Sequence, residues 1–93
     1  MAKVFQIGLI GCGHIAETYF RAHKYFNNFR ITKCADINKK KADKCAKINK
    51  IRSVSVHALL KDKDIKIILN LTIPKAHYII AKKSLLNNKH VYS

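Results

Sequence analysis

Residues 8–16 read GLIGCGHIA, and this stretch decides the fold expected for the chain. It meets the pattern Gly-x-Gly-x-x-Ala at Gly11, Gly13 and Ala16. An apolar run over residues 3–10, rich in β-branched and aromatic side chains, comes before it and predicts a buried strand. A strand, a glycine turn and a helix in this order are typical of a site that binds the diphosphate of a dinucleotide.

Each position of the pattern has a physical function. Gly11 permits the tight turn, Gly13 lets a diphosphate approach the backbone, and Ala16 lets the helix pack closely on the strand. The amides of Gly13, His14 and Ile15 would face the phosphates at the positive end of the helix dipole. The sequence therefore predicts a dinucleotide site at the start of this helix.

Asp36 follows the second predicted strand, residues 29–35, and lies 20 residues beyond Ala16. A carboxylate there can accept hydrogen bonds from the hydroxyls of the adenosine ribose. Taken alone, Asp36 is better explained as a turn residue or a helix N-cap, but its spacing favours the ribose. The same carboxylate would repel the 2′-phosphate of NADP, so NAD is the favoured cofactor; the lysines at 39–41 can offset the repulsion and leave NADP as the alternative.

Strand and helix patterns alternate along the rest of the chain. Helices are predicted over 14–26 and 39–48, and a strand over 54–56 is followed by one helical turn. A further strand is predicted over 65–71. A helix then begins at Pro74 and is capped by a left-handed Asn88, and the last strand covers 90–92. Such alternation implies parallel strands joined by right-handed crossovers. We predict an α/β, Rossmann-type three-layer sandwich with about five parallel strands in the order 3-2-1-4-5 and a ligand crevice at the ends of strands one and four.

The net charge of +14 raises the alternative of a basic nucleic-acid-binding protein. The cations are 16 Lys and only 3 Arg, although base and phosphate recognition favours the forked Arg side chain. No aromatic RNA-stacking motif and no recognition helix is visible in the sequence. We therefore expect no specific nucleic-acid partner.

Apolar runs such as residues 67–69 are far shorter than the ~20 residues of a membrane span, and the first residues lack a signal-peptide pattern. The sequence thus predicts a cytoplasmic protein without a membrane partner. Cys12, Cys34 and Cys45 form no Cys-x-x-Cys pair and have no spacing to histidines that suits zinc. They are interpreted as free thiols that pack as small apolar side chains, with no metal site.

Four segments carry a resemblance to a known family: GLIGCGHIA at 8–16, Ala35-Asp36, NLTIPKAHY at 70–78 and NKHVYS at 88–93. Together they resemble the N-terminal domain of the Gfo/Idh/MocA family, the relatives of glucose-fructose oxidoreductase and inositol dehydrogenase that act on sugars and other polyols. The resemblance covers nearly the whole chain. Lys66, where relatives often carry an acidic residue, and Asn88, in place of a usual glycine, depart from the family pattern.

The resemblance implies that residues 70–74 lie beside the diphosphate and the nicotinamide ribose. Thr72 and Pro74 would line this loop, with His77 behind them. A helix residue that packs on the sheet or is half exposed is an equal alternative for His77. Polar Asn70 and Thr72 at the end of an apolar strand also suit a ligand crevice better than a core. Asn70, Thr72, Pro74 and His77 therefore join the candidate cofactor residues.

The resemblance further implies a Glu-Lys-Pro segment after His-Val-Tyr-Ser, whose lysine orients the substrate, and a second domain that supplies a catalytic histidine. Residues 1–93 contain neither. We therefore expect an incomplete dinucleotide-binding domain of an NAD(P)-dependent oxidoreductase, with no catalytic residues of its own. The alternative is a stand-alone nucleotide-binding or regulatory domain. A sheet that ends at strand five would leave an edge and an apolar face uncovered, which favours homo-oligomers.

Overall fold

A computed structural model of the chain describes residues 4–23 and 28–92. One parallel sheet and four helices alternate along these residues: β1 (Phe5–Ile10), α1 (His14–His23), β2 (Phe29–Ala35), α2 (Lys39–Asn49), β3 (Arg52–Ser53), α3 (Val56–Lys61), β4 (Ile65–Asn70), α4 (Pro74–Leu86) and β5 (His90–Tyr92). The strand order is β3-β2-β1-β4-β5, which confirms the predicted α/β topology. Within the described residues, no helix is long and apolar enough to cross a membrane.

Strand β1 lies at the centre of the sheet and pairs in parallel with β2 and β4. Leu9 lies opposite Cys34 on one side and opposite Leu69 on the other. All three side chains are buried, as expected for a central strand covered on both faces. The carboxyl ends of β1, β2 and β4 therefore meet at one edge of the sheet, where the segments that follow these strands can form a site.

Helices cover both faces of the sheet and build two apolar cores. The core on the α1 and α2 side contains Leu9, Ala16, Phe20, Ile31, Cys34, Ala46 and Leu69. The core on the α3 and α4 side contains Ile10, Ala35, Leu59, Leu60, Ile65, Ile68 and Ile80. A Cβ atom on Gly8 would lie 2.8 Å from Leu59 Cδ1, so the missing side chain in β1 lets α3 approach the sheet. These layers confirm the three-layer sandwich.

The third strand lies earlier than the sequence predicted. It is formed by Arg52 and Ser53, opposite Lys33 and Cys34 of β2, and the prediction of a strand over 54–56 is wrong. Ser55 accepts a hydrogen bond from the Ala58 amide at 3.0 Å and caps α3, so Val56 is already helical. A serine N-cap thus outweighs the strand preference of two valines.

Other boundaries agree with the predictions to within a residue or two. Asn88 has φ 61°, which confirms the left-handed position after α4. The helical continuation predicted for residues 24–26 lies outside the described residues.

Lys89 fixes the start of β5. Its side chain is buried, and Nζ donates hydrogen bonds to the carbonyls of Asp62 at 2.5 Å and Ile65 at 2.6 Å. The Asp62 carboxylate also forms an ion pair with Lys33 of β2. These contacts tie β2 and β5 to the turn that leads into β4, at the end of the sheet opposite the candidate site.

Candidate dinucleotide-binding site

A tight bend connects β1 to α1. Gly11 has φ 103°, a backbone conformation that favours glycine, and its amide donates a hydrogen bond to the Ala35 carbonyl at 2.9 Å. A Cβ atom on Gly11 would lie 2.5 Å from the Leu71 carbonyl oxygen and 2.8 Å from the Thr72 nitrogen. Both the backbone conformation and the close approach of the segment after β4 therefore require glycine here.

Asp36 joins the end of β2 to this bend. Its Oδ2 accepts a hydrogen bond from the Cys12 amide at 2.8 Å. Its Oδ1 accepts one from the Asn38 amide at 2.8 Å, which makes Asp36 a turn residue as well. The cap of α2 is Asn38, whose side chain accepts from the Lys41 amide at 3.3 Å, so Asp36 is not the N-cap. Each carboxylate oxygen retains capacity to accept a further hydrogen bond.

The amino end of α1 faces open space. The Ala16 amide donates to the Gly13 carbonyl at 3.1 Å, and the preceding amides of Gly13, His14 and Ile15 have no acceptor within the helix. All three of these residues are exposed, and a Cβ atom on Gly13 would meet no atom within 4 Å. This end of the helix can therefore receive an anionic group, because free amides and the helix dipole both favour negative charge.

The segment from β4 to α4 contains the other predicted site residues. Asn70 is only 1% exposed, and its Nδ2 donates to the His77 carbonyl at 2.9 Å. Its Oδ1 accepts from Thr72 Oγ1 at 2.7 Å. The Asn70 side chain thus lies inside the protein and holds the loop, unlike the crevice position expected from the sequence. Thr72 and His77 are half-buried and Pro74 is exposed at the start of α4.

Three thiols that the sequence did not predict to be neighbours come together beneath the bend. The Sγ atoms of Cys12, Cys34 and Cys45 all lie within 4.8 Å of one another. Hydrogen bonding from the Cys12 thiol lowers the pKa of Cys34, whereas the hydrogen bond to Cys34 and burial raise the pKa of Cys12. Burial raises the pKa of Cys45 to about 11. The prediction of free thiols holds, but the three form a cluster that their spacing did not reveal.

The fold and the geometry of the bend define the class of the protein: a dinucleotide-binding Rossmann domain. Residues 5–93 match the model of the Gfo/Idh/MocA family, an oxidoreductase family with an NAD-binding Rossmann fold. The chain belongs to this family and is its NAD-binding domain. No match was found in the comparison with curated proteins.

Solved structures of similar fold include dehydrogenases and a reductase. The myo-inositol dehydrogenase of Lactobacillus casei, solved with NAD(H) and myo-inositol, is 21% identical with a TM-score of 0.84 and is aligned over 95% of this chain and 27% of its own. The WlbA dehydrogenase of Chromobacterium violaceum, solved with NADH and UDP-GlcNAcA, is 22% identical with a TM-score of 0.88. It is aligned over 98% of this chain and 27% of its own. Biliverdin reductase from a Synechocystis species, solved with biliverdin and NADP⁺, is 25% identical with a TM-score of 0.83. It is aligned over 92% of this chain and 28% of its own. The chain thus spans about a quarter of the length of these proteins.

Proposed function

We propose that the bend after β1 holds the diphosphate of NAD and that Asp36 holds the adenosine ribose. The amides of Gly13, His14 and Ile15 donate to the phosphate oxygens, and the Asp36 carboxylate accepts from the ribose hydroxyls. The observation that carries the proposal is the 2.8 Å hydrogen bond from the Cys12 amide to Asp36 Oδ2, because it places a carboxylate beside the free helix amides.

The segment after β4 completes the proposed site. Leu71 and Thr72 approach Gly11 so closely that no side chain fits between them, which supports a single crevice shared by the two loops. Thr72 and Pro74 line this crevice toward the nicotinamide ribose, with His77 behind them. Asn70 affects the cofactor indirectly, by holding the loop that lines the site. Both ends of its side-chain amide already form hydrogen bonds, to Thr72 and to His77.

The preference for NAD over NADP rests on charge. Asp36 is held in place by two backbone amides, so it cannot easily turn away from a 2′-phosphate on the ribose. Lysines 39–41 begin α2 close by and reduce the repulsion. We therefore expect NAD to bind more tightly than NADP by a margin that grows as these lysines are neutralised.

NAD supplies the hydride acceptor or donor of an oxidoreductase, and the residues of this domain bind and orient it. We propose a sugar or other polyol as the substrate of the whole enzyme, since the Lactobacillus casei structure contains myo-inositol and the Chromobacterium violaceum structure contains UDP-GlcNAcA. Hydride transfer needs a positioned second reactant. We assign no catalytic residue to residues 1–93 and place the protein in the reducing cytosol, where thiols such as Cys34 stay free.

Calorimetric titration with NAD, NADP and ADP-ribose tests the proposal. ADP-ribose contains the diphosphate and the adenosine ribose, so its affinity should lie within about tenfold of that of NAD. At a hundred times its dissociation constant, NAD should stabilise the folded protein by about 2.7 kcal/mol in a thermal unfolding experiment. Absence of heat and of thermal stabilisation with all three ligands, together with salt-resistant binding to a DNA duplex, would overturn it.

A further inference from the structure

The three cysteines converge from three separate elements. Cys12 lies in the bend after β1, Cys34 near the end of β2, and Cys45 on the side of α2 that faces the sheet. Cys34 is fully buried and the other two are half-buried. A disulfide joins two sulfur atoms, whereas here three Sγ atoms lie within 4.8 Å of one another. Three neighbouring sulfur atoms match a set of three ligands around one ion.

The dinucleotide proposal makes no use of these side chains. Cys12 contributes its backbone amide to the Asp36 contact, while its Sγ turns toward the Ala35 carbonyl at 3.6 Å. Cys34 Sγ lies 3.5 Å from the Ala42 carbonyl. The Asn49 side chain donates to Cys45 Sγ at 3.8 Å, the kind of weak contact that orients a sulfur ligand.

A cavity gives an ion access to the thiols. It measures about 530 Å³, lies between α1 and α2, and is lined by Cys12 and Cys45 among others. Arg21, Lys41 and Lys44 line the same cavity. Three thiolates around a single monovalent or divalent cation retain net negative charge, and these basic side chains are placed to offset it.

We propose that Cys12, Cys34 and Cys45 form a three-thiolate site for one soft metal cation, with the cuprous ion as the preferred occupant. Soft thiolate ligands select Cu(I) and zinc, and structural zinc sites use four protein ligands. Among the residues that the structure describes, this cluster contains three ligands. Sulfur atoms at ~2.3 Å from a central ion in one plane lie ~4 Å apart, a spacing that small side-chain rotations reach from the present positions. On binding, three S–H bonds are replaced by three S–Cu bonds and three protons are released to solvent.

Anaerobic titration of the fully reduced chain with Cu(I), in competition with a chromophoric Cu(I) chelator, tests the site. We expect one ion per chain, confirmed by native mass spectrometry, and at least tenfold weaker binding in Cys45→Ala and in Cys12→Ala. Cys45 has no place in the proposed dinucleotide site, so Cys45→Ala should keep its NAD affinity. Retained NAD binding also shows that this variant is folded. His57→Ala, which removes an exposed histidine of α3, is the control and should bind Cu(I) as the unchanged protein does.

Three results would overturn the proposal. The first is the absence of stoichiometric Cu(I) uptake by the reduced chain. The second is uptake that persists at full strength in Cys45→Ala. The third is tighter binding of Zn(II) than of Cu(I) in matched competition assays. Failure of the unchanged protein to bind NAD would leave the Cu(I) titrations unaffected, because the metal site involves different atoms, and urea unfolding would then show whether Cys45→Ala is folded.

Discussion

The Asp36 carboxylate holds the Cys12 amide at 2.8 Å, so the acidic group that ends β2 also braces the glycine bend that follows β1. A second hydrogen bond, from the Asn38 amide to Oδ1, fixes the same carboxylate against the start of α2. Asp36 therefore has a structural function beside its proposed contact with the ribose. Substitutions that keep the acceptor but remove the charge can separate the two.

Asp36→Asn is such a substitution. The amide oxygen of asparagine can still accept from the Cys12 amide, whereas the negative charge and the second acceptor, which receives the Asn38 amide, are lost. Hydrogen bonds to charged groups are stronger than neutral ones by about 1 kcal/mol, so NAD affinity should fall by about fivefold. Affinity for NADP should fall less or rise, because the repulsion of the 2′-phosphate is removed. Calorimetric titration of both nucleotides measures the change in selectivity.

Asp43→Asn is the matched control for this experiment. Asp43 is an exposed carboxylate on α2 that accepts a hydrogen bond from Ser53 Oγ of β3 at 2.8 Å. Its neutralisation changes the net charge equally and should leave the ratio of NAD to NADP affinity unchanged. An equal ratio in all three proteins would show that Asp36 does not sense the ribose.

Gly11 and Gly13 should respond differently to alanine. In Gly11→Ala the new Cβ meets the Leu71 carbonyl at 2.5 Å and the backbone has φ 103°, so we expect a loss of about 2–4 kcal/mol in unfolding free energy. In Gly13→Ala the Cβ enters open space, so stability should change by less than about 1 kcal/mol. That methyl group would nevertheless occupy the approach of the diphosphate and weaken NAD binding at least tenfold. Urea unfolding and calorimetric titration measure the two quantities.

The reverse pattern would contradict the proposed site. If Gly13→Ala binds NAD as tightly as the unchanged protein, the diphosphate does not approach the bend at that position. If Gly11→Ala is fully stable, the close contact with the segment after β4 is not essential to the fold.

Much of the fold was predictable because local patterns and topology agree. The glycine pattern, the apolar strands and the alternation of elements fixed the strand order, and the distance from Ala16 to Asp36 located the carboxylate beside the bend. The third strand was misplaced because two β-branched valines flank Ser55, and the pattern of side chains does not reveal that its hydroxyl caps a helix. Capping depends on backbone conformation, which short-range composition specifies poorly.

The site was less predictable than the fold for a related reason. Asn70 ends an apolar strand, and the sequence does not show whether its amide turns outward to a ligand or inward to Thr72 and His77. The cysteine cluster was missed because its members are 22 and 11 residues apart, outside any short ligand motif. The pairing of β1 with β2 and the inward face of α2 bring the thiols together. Combining the predicted pairing of β1 with β2 and the predicted inward face of α2 could have revealed that the three cysteines are neighbours.

The ion pair between Asp62 and Lys33 should make stability depend on pH in acid. The hydrogen bond from Lys33 lowers the pKa of Asp62 below its ordinary value of 3.8. A carboxyl group with a lowered pKa in the folded state stabilises the protein above its unfolded pKa, and this stabilisation is lost as the pH falls through the folded value. The difference in stability between the unchanged protein and Asp62→Asn should therefore be constant from about pH 5 to 7 and shrink below about pH 3.8.

Urea unfolding of the two proteins across this range measures the difference. Asp64→Asn, which neutralises an exposed carboxylate in the same turn, serves as the control and should track the unchanged protein. A difference that stays constant down to pH 2.5, or that grows on acidification, would contradict a stabilising function for the ionised Asp62.

An apolar depression on the α1 side of the sheet should drive self-association. It measures about 300 Å³ and is lined by Ile7, Tyr19, Ala22, Phe29, Ile31, Ile67, Leu69 and Tyr92. The net charge of +14 opposes contact between copies at low ionic strength, and salt screens that repulsion within about 10 Å at 0.1 M. The weight-average mass in sedimentation experiments should therefore rise with added salt.

Two substitutions with the same change in charge test whether this surface is responsible. Ile67→Lys places a cation in the depression and should keep the protein monomeric at all salt concentrations, because burial of an unpaired charge costs several kcal/mol. Ile37→Lys alters a side chain that is 86% exposed outside the depression, so its self-association should match that of the unchanged protein. Equal association of both variants would place the contact elsewhere, for example on α4, where Tyr78, Leu85 and Leu86 are 73%, 62% and 73% exposed. Monomers of the unchanged protein at high salt would mean that the apolar area of the depression is too small to offset the loss of translational freedom.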